Sequence, residues 1–291
     1  MRFCADIGGM GMNPIAPTQA SVAQTLAHAM ARGLDRLDAQ LLLLHALGRD
    51  PHDRAWLLTH DSDTLATPVL TAFEAGAARR ATGEPLAYIT GHKEFFGLDL
   101  LVDARVLVPR PDTETLVEWA LELQSAASSA RVVDLGTGSG AIALALQHSC
   151  PAWQVVAVDY SADALAVAQA NAQRLRLGVQ CVQGSWLDAM QGRFDLIVSN
   201  PPYIAAADSH LAALAHEPLQ ALASGADGLD DIRTIIGQAP PHLLPGGWLL
   251  LEHGYDQAAA VRTLLRAAGL HNVQSRRDLA GIERCSGGQW L

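Results

Sequence analysis

Arg131-Val-Val-Asp-Leu-Gly-Thr-Gly-Ser-Gly140 decides the fold. A short apolar run enters a glycine-rich turn, and Ala141 to Gln147 follow as a helix, so the segment reads strand, turn, helix. Glycines let the backbone approach a ligand where any Cβ would clash. Gln154-Val-Val-Ala-Val-Asp159 reads as the next strand. Its terminal acid lies about 20 residues beyond the turn, where a carboxylate can accept both hydroxyls of a ribose. A nucleoside ligand is implied, and the carboxylate of Asp159 has no other evident partner. Gly136, Gly138 and Ala141 also satisfy the G-x-G-x-x-A form of the dinucleotide fingerprint, which leaves NAD and S-adenosylmethionine (SAM) both open. Asp134, two residues ahead of the first glycine, favours SAM, because it can serve the amino end of a methionine.

Further along, Phe194-Asp-Leu-Ile-Val-Ser-Asn-Pro-Pro-Tyr-Ile204 is an apolar strand running into a rigid polar clamp. Two successive prolines donate no ladder hydrogen bonds and have fixed φ, so the strand stops at Asn200 and the next residues stay stiff and extended. The Asn200 side-chain oxygen and the Pro201 carbonyl are both acceptors. Two convergent acceptors suit a planar group carrying an NH2, a carboxamide or an exocyclic base amine. Tyr203 offers such a group a flat face. The bland alternative is a strand-ending turn of Asn and Pro.

Around these stretches strands and helices alternate: helix 161–175, strand 179–183, helix 228–239, strand 247–252, helix 256–268, and closing strands near 271–278 and 284–291. That alternation predicts an α/β domain with a mostly parallel sheet covered on both faces. Its ligand belongs at the carboxyl ends of the strands, where Gly136, Thr137, Gly138, Ser139, Gly140, Asp159, Trp186 and Asn200 fall. Residues 18–82 carry helical periodicity instead, with Val22, Leu26, Ala29, Met30 and Leu37, Leu41, Leu44, Leu47 as apolar faces and Thr67-Pro68 as a helix start. A small helical bundle is predicted there. Between the two, residues 83–111 suggest short hairpin strands, and Thr113 or Asp112 is expected to cap the helix whose buried face is Leu116, Val117 and Ala120. Residues 125–130 read as a surface connection, and residues 1–17 as a loose tail.

Composition limits the partners. The formal net charge is −10 over 291 residues and Lys93 is the single lysine, so no broad cationic surface is available to neutralise a phosphate backbone. Cys4, Cys150, Cys181 and Cys285 form no CxxC pair and the histidines no HExxH, so neither a metal site nor a disulfide framework is indicated. No apolar run reaches membrane-spanning length. A soluble, cytoplasmic, monomeric protein is the expectation.

With these motifs in view the chain resembles the release factor glutamine methyltransferases, the PrmC or HemK family. The resemblance spans about residues 20–291. It is carried by Gly83-Glu-Pro-Leu86, Glu94-Phe-Phe96, Pro109-Arg-Pro-Asp-Thr-Glu114, Asp134-Leu-Gly-Thr-Gly-Ser-Gly140, Ser199-Asn-Pro-Pro-Tyr-Ile204, Glu217-Pro218, Gly225-Ala-Asp-Gly-Leu229 and Leu250-Leu-Glu-His-Gly254. It implies a class I SAM-dependent methyltransferase domain over residues 112–291, with a seven-stranded Rossmann-like sheet. Ahead of it stand a hairpin hinge at 83–111 and a helical substrate-docking domain at 18–82. The implied reaction moves methyl from SAM to N5 of the glutamine in the Gly-Gly-Gln motif of bacterial peptide chain release factors. By position, Asp134, Gly136 to Gly140, Asp159, Trp186 and Asn200 would bind SAM, and Asn200, Pro201, Pro202 and Tyr203 would bind the glutamine. Glu217 and His253 are read as structural supports. The sequence departs from the pattern at Gly184-Ser185-Trp186, which has no acid before the tryptophan, and in a shortened segment 210–216. Gly287-Gly-Gln289 copies the substrate tripeptide inside a terminal strand. An adenine-N6 DNA methyltransferase and a non-catalytic SAM-binding interaction protein are the alternative readings.

Overall fold

A computed structural model describes residues 20–123 and 129–291, so the expectations for residues 1–17 and 125–128 lie outside the described residues. The chain divides into two compact units, one up to Thr82 and one from Gly83 to Leu291.

The smaller unit holds helices α1 (Val22–Ala31), α2 (Arg36–Ala46), α3 (Arg54–Thr59) and α4 (Thr67–Ala81). Ser21 caps α1 through a reciprocal capping box with Gln24, and Asp35 caps α2 by accepting from the N–H groups of Leu37 and Asp38. The expected face of α1 keeps Val22 and Ala29 inward, whereas that of α2 is rotated. On α2 the buried residues are Ala39, Leu42, Leu43 and Leu44, while Leu37 is exposed. A run of four leucines cannot fix phase by periodicity, since every register of the helix puts two or three of them inward. Thr67-Pro68 does start α4, with Thr67 as the first helical residue and Ala66, not the threonine, in the cap position without a side-chain bond.

In the larger unit, helix α5 (Leu86–Thr90) precedes the antiparallel hairpin of β1 (His92–Phe95) and β2 (Leu98–Leu101). Residues 83–111 therefore pack with the larger unit. Then follow α6 (Glu114–Leu123), β3 (Arg131–Leu135), α7 (Ala141–Ser149), β4 (Gln154–Asp159), α8 (Ala162–Leu175), β5 (Gln180–Gln183), β6 (Phe194–Ser199), α9 (Asp230–Gln238), β7 (Leu243–Glu252), α10 (Ala258–Ala267), β8 (His271–Arg277) and β9 (Glu283–Gln289). The seven strands lie in the order β5-β4-β3-β6-β7-β9-β8. All neighbouring pairs from β5 to β7 are parallel, and β9 runs antiparallel to both β7 and β8.

Val132, Val133, Leu135, Leu196, Ile197, Val198, Leu249, Leu250 and Leu251 are all fully buried, as central strands covered on both faces require. One side of the sheet packs with Leu116, Val117 and Ala120 of α6 and with α7; the other packs with Ile232, Ile235 and Ile236 of α9 and with Val261 and Leu265 of α10. Chain order goes outward from β3 to β5 and then returns to β6 on the other side. The β3/β6 boundary is thus the topological switch point, the place where open α/β sheets leave a crevice at their carboxyl edge.

Gly287-Gly-Gln289 is no substrate mimic here. It lies within β9, and a Cβ on Gly287 would stand 2.5 Å from Leu250 and 2.7 Å from the Leu249 carbonyl, so packing alone demands glycine.

Candidate active site

A cavity of about 320 Å³ opens at the switch point, within the range of about 300–1,000 Å³ typical of small-molecule sites. Gly136, Thr137, Gly138 and Ser139 form one wall, Asp159, Tyr160 and Ser161 the next, and Gly184, Ser185 and Trp186 a third. Asn200 and Pro202 close it, with Arg110 and Thr113 beside them.

The glycine turn is held from beneath by the neighbouring strand. The N–H groups of Gly136 and Thr137 both donate to the Val158 carbonyl at 2.9 Å, and the Gly138 N–H donates to Asp159 Oδ2 at 2.9 Å. Gly136, Gly138 and Gly140 have φ of +70°, +55° and +84°, a region costly for any residue with a Cβ. Asp159 therefore has partners that the sequence does not suggest: besides Gly138, its Oδ1 accepts from the Ser161 N–H at 2.9 Å. Each oxygen has a second lone pair to offer a ribose hydroxyl. Burial pushes the Asp159 carboxyl above its ordinary range, against the pull of these backbone donors.

Asp134 does not stand in the cavity wall. It is fully buried behind the turn, where Oδ2 accepts from the Thr137 hydroxyl at 2.6 Å and from the Ala143 N–H at 3.3 Å. Its Oδ1 is buried without a hydrogen-bond partner among the described residues. Burial raises this carboxyl to about 7. Trp186 does line the cavity, at φ +48°, an uncommon value for a bulky residue. Its ring covers Gly136 so closely that a Cβ there would lie 3.2 Å from Trp186 Cζ3. Ser185, next to Trp186 in sequence, lines the same wall.

The clamp divides. Asn200 and Pro202 face the cavity, whereas Pro201 is buried and Tyr203 packs behind against the α9/α10 side of the core. Tyr203 is thus no stacking face in the cavity wall. Its hydroxyl instead donates to Glu252 Oε1 at 3.3 Å, and burial pushes that hydroxyl well above its usual range. Asn200 Nδ2 donates to Thr113 Oγ1 at 3.2 Å. Thr113 caps nothing: it ends the 3-10 turn Pro111–Thr113, which runs into α6 without a side-chain cap. Gln257 Nε2 donates to the Tyr203 carbonyl at 3.0 Å and Gln257 Oε1 accepts from the Gly254 N–H at 2.8 Å, tying the clamp to the end of β7.

Neither of the two supports lines the cavity. Glu217, buried, accepts from the Val108 N–H at 3.1 Å and pairs with Arg110, pinning the 109–111 segment. His253 is fully buried, with Nε2 2.7 Å from Ser286 Oγ, and burial depresses its basicity. Sequence reasoning misses Thr113, Glu252 and Gln257 as site residues. Only Glu252 carries a signal, an acid closing the apolar run Leu249-Leu-Leu251 much as Asp159 closes its own strand.

Comparison with known proteins follows the same lines. The family model described as the PrmC N-terminal domain matches residues 19–91, and that of the methyltransferase small domain matches residues 112–266. Release factor glutamine methyltransferase of Bordetella pertussis is 54% identical over 260 residues, covering 88% of this chain and 95% of that protein. The chain belongs to the release factor glutamine methyltransferases. The protein of that name from Xylella fastidiosa is 51% identical, with 91% of this chain and 96% of that one covered. Family membership brings the class I fold and SAM as methyl donor. Solved structures agree on the fold. A methyltransferase from Pyrococcus furiosus superposes with TM-score 0.53 at 21% identity, over 73% of this chain and 95% of that one. The N-terminal domain of human METTL16 in complex with SAH gives 0.52 at 16% identity, over 92% and 94%.

Proposed function

We propose that the cavity holds SAM and that the methyl goes to the side-chain amide nitrogen, N5, of the glutamine in a release factor's Gly-Gly-Gln motif, modulating translation termination. The supporting observation is convergence. Asn200, ending β6, shares one cavity with the glycine turn that ends β3 and with Asp159 that ends β4. The residues present fit SAM: Asp159 and Ser185 at the nucleoside, Gly136 to Ser139 along the chain, and the orphaned Oδ1 of Asp134 for an ammonium. SAM supplies an electrophilic methyl on a positively charged sulfur, with a neutral thioether as leaving group.

An amide nitrogen is a poor nucleophile because its lone pair is delocalised. This chain's task is therefore orientation. Asn200 Oδ1 accepts one N–H of the glutamine, the carbonyl of the otherwise buried Pro201, on the peptide bond to the cavity-lining Pro202, takes the other, and the nitrogen is aimed into the cavity in line with the methyl–sulfur bond. Holding reactants this way is worth roughly 7 to 11 kcal/mol in well-oriented cases. Acceptors on both hydrogens also stabilise the positive charge that develops on nitrogen as the new bond forms. The excess proton leaves to water after transfer, and no general base is assigned.

One carboxamide pocket cannot select a single glutamine among all those in a cell, so selectivity belongs to a wider surface. We assign it to the helical unit, residues 18–82, as a docking surface for the folded release factor, with residues 83–111 as hinge. The enzyme is read as a cytoplasmic monomer, with no membrane attachment and no stable nucleic-acid partner. Among the described residues no helix is long and apolar enough to cross a membrane.

Labelled SAM offered with purified release factor, beside duplex DNA, tests the reaction: label should enter the factor and not the DNA. Deleting residues 1–82 should leave SAM binding intact and raise KM for the release factor sharply. Equal methylation by the truncated enzyme would remove the docking role.

A further inference from the structure

We propose that Thr113 and Glu252 are positioning residues that decide which end of the Asn200 amide faces the cavity. The inference rests on the reading that Asn200 Oδ1 receives the glutamine N–H. A side-chain amide has an accepting end and a donating end of nearly equal shape, and a half-turn about its last bond exchanges them. Turned the wrong way, Asn200 would set an NH2 against the substrate's NH2. The clamp then fails with its backbone unchanged.

What prevents the half-turn is a hydrogen-bond polarity set from behind. Asn200 Nδ2 is 3.2 Å from Thr113 Oγ1. A hydroxyl that accepts from nitrogen must place its own proton elsewhere, and Thr113, though it borders the cavity, is only 4% exposed. The neighbouring acceptor is the Glu252 carboxyl, 1% exposed at the end of β7. The Thr113 and Tyr203 hydroxyls both pull this carboxyl toward ionisation, against the burial that raises it to about 7. Arg284 also favours the ionised form and Asp112 opposes it. Asn200 Nδ2 thus donates to Thr113 Oγ1 and the Tyr203 hydroxyl to Glu252 Oε1, while Glu252 Oε2 is buried without a hydrogen-bond partner among the described residues and is the acceptor assigned to the Thr113 proton. Two clamp residues, Asn200 and Tyr203, are oriented by one buried acceptor.

Replacing Glu252 by glutamine keeps the shape but reverses the order. Its NH2 can donate to Thr113 Oγ1, which sends the hydroxyl proton toward Asn200 and draws Oδ1 out of the cavity. Thr113→Val removes the link outright, while Thr113→Ser retains it.

Single-turnover methylation of a purified release factor decides the matter, with SAM affinity measured by calorimetry alongside. Thr113→Val and Glu252→Gln should each lower the methyl-transfer rate about tenfold or more, with SAM affinity and release factor KM within about twofold of the parent. Thr113→Ser should restore most of the rate. In an Asn200→Ala background, Thr113→Val should cost nothing further, since it acts only through Asn200. An equal cost in both backgrounds, or normal rates in Thr113→Val and Glu252→Gln beside an inactive Asn200→Ala, would overturn the positioning role and leave the site intact. Normal transfer by Asn200→Ala would instead overturn the site reading itself. Should Thr113→Val not fold, the near-isosteric Glu252→Gln and its double variant with Asn200→Ala decide the same question.

Discussion

The ends of β3 and β6 are neighbours in the sheet, with Leu135 opposite Ser199, yet they are held in different ways. At β3 most groups fixing the turn lie within one strand-helix-strand unit, namely the Val158 carbonyl, the Asp159 carboxylate, and Asp134 with its bonds to Thr137 and Ala143; Asn171 of α8 and Ser199 of β6 add bonds to the Ser139 and Leu135 carbonyls. At β6 the clamp is fixed from across the chain, by Thr113 before the sheet begins and by Glu252 and Gln257 at the far end of β7. A cofactor cradle can be built locally because a nucleoside is met mostly by backbone and one carboxylate. Orienting an amide for chemistry takes side chains whose own rotamers are locked by others, and those locks come from wherever the fold brings them.

The sharpest way to break this comparison is to remove one residue from each half. Asn200→Ala should lower methyl transfer roughly a hundredfold or more, the scale for losing a preorganised electrostatic partner, while SAM affinity stays within about tenfold, roughly 1.4 kcal/mol. Asp159→Ala should do the reverse, weakening SAM about tenfold or more and loosening the turn through loss of the bond to the Gly138 N–H. Calorimetry and single-turnover rates read the two effects separately. If both variants lose SAM affinity equally, the halves are not distinct.

A smaller effect is expected from Gly228→Ala. At φ +75°, a Cβ on Gly228 would stand 2.2 Å from the Tyr203 carbonyl and 2.8 Å from Gln257 Nε2. The clamp must shift to admit it, at a cost of about 1–3 kcal/mol in stability and about tenfold in transfer rate, with SAM affinity unchanged. A variant with parental rate would show that the rear of the clamp tolerates displacement, and that its dispersed support matters only for folding.

The same contrast explains what can be read from the sequence. Gly136 to Gly140 and Asp159 announce themselves because their spacing is the mechanism, and the strand alternation points to the parallel sheet and its ligand edge. Asn200 and Pro202 are legible for the same reason, a strand forced to stop. Thr113 reads as a helix cap, since a threonine ahead of Glu114 and an apolar run satisfies every local criterion for one; its true partner is 87 residues away. Tyr203 reads as a stacking face because nothing local reveals Glu252 behind it. In the helical unit, the leucine run Leu41–Leu44 conceals which face is inward. Non-local pairings leave no trace in spacing.

The smallest effect concerns Asp134, and it probes an orphaned atom of the cradle. Burial raises this carboxyl from 3.8 to about 7 in the folded chain. Without ligand, the folded state therefore holds the proton more tightly than the unfolded chain, so this group's contribution to stability is greatest below the unfolded value and is lost as pH rises toward about 7. An ammonium placed on Oδ1 has the opposite preference. It favours the carboxylate, so binding SAM should expel a proton, and affinity should rise by up to about tenfold per pH unit below the folded value, levelling off above it. Calorimetry from about pH 6 to about pH 8, repeated in buffers of different ionisation enthalpy, would detect both the trend and the released proton. Asp134→Asn should flatten the profile while leaving the bond from Thr137 to the retained side-chain oxygen. Affinity independent of pH in the parent enzyme would mean that Asp134 only braces the turn, and that the amino end of the methionine is met elsewhere.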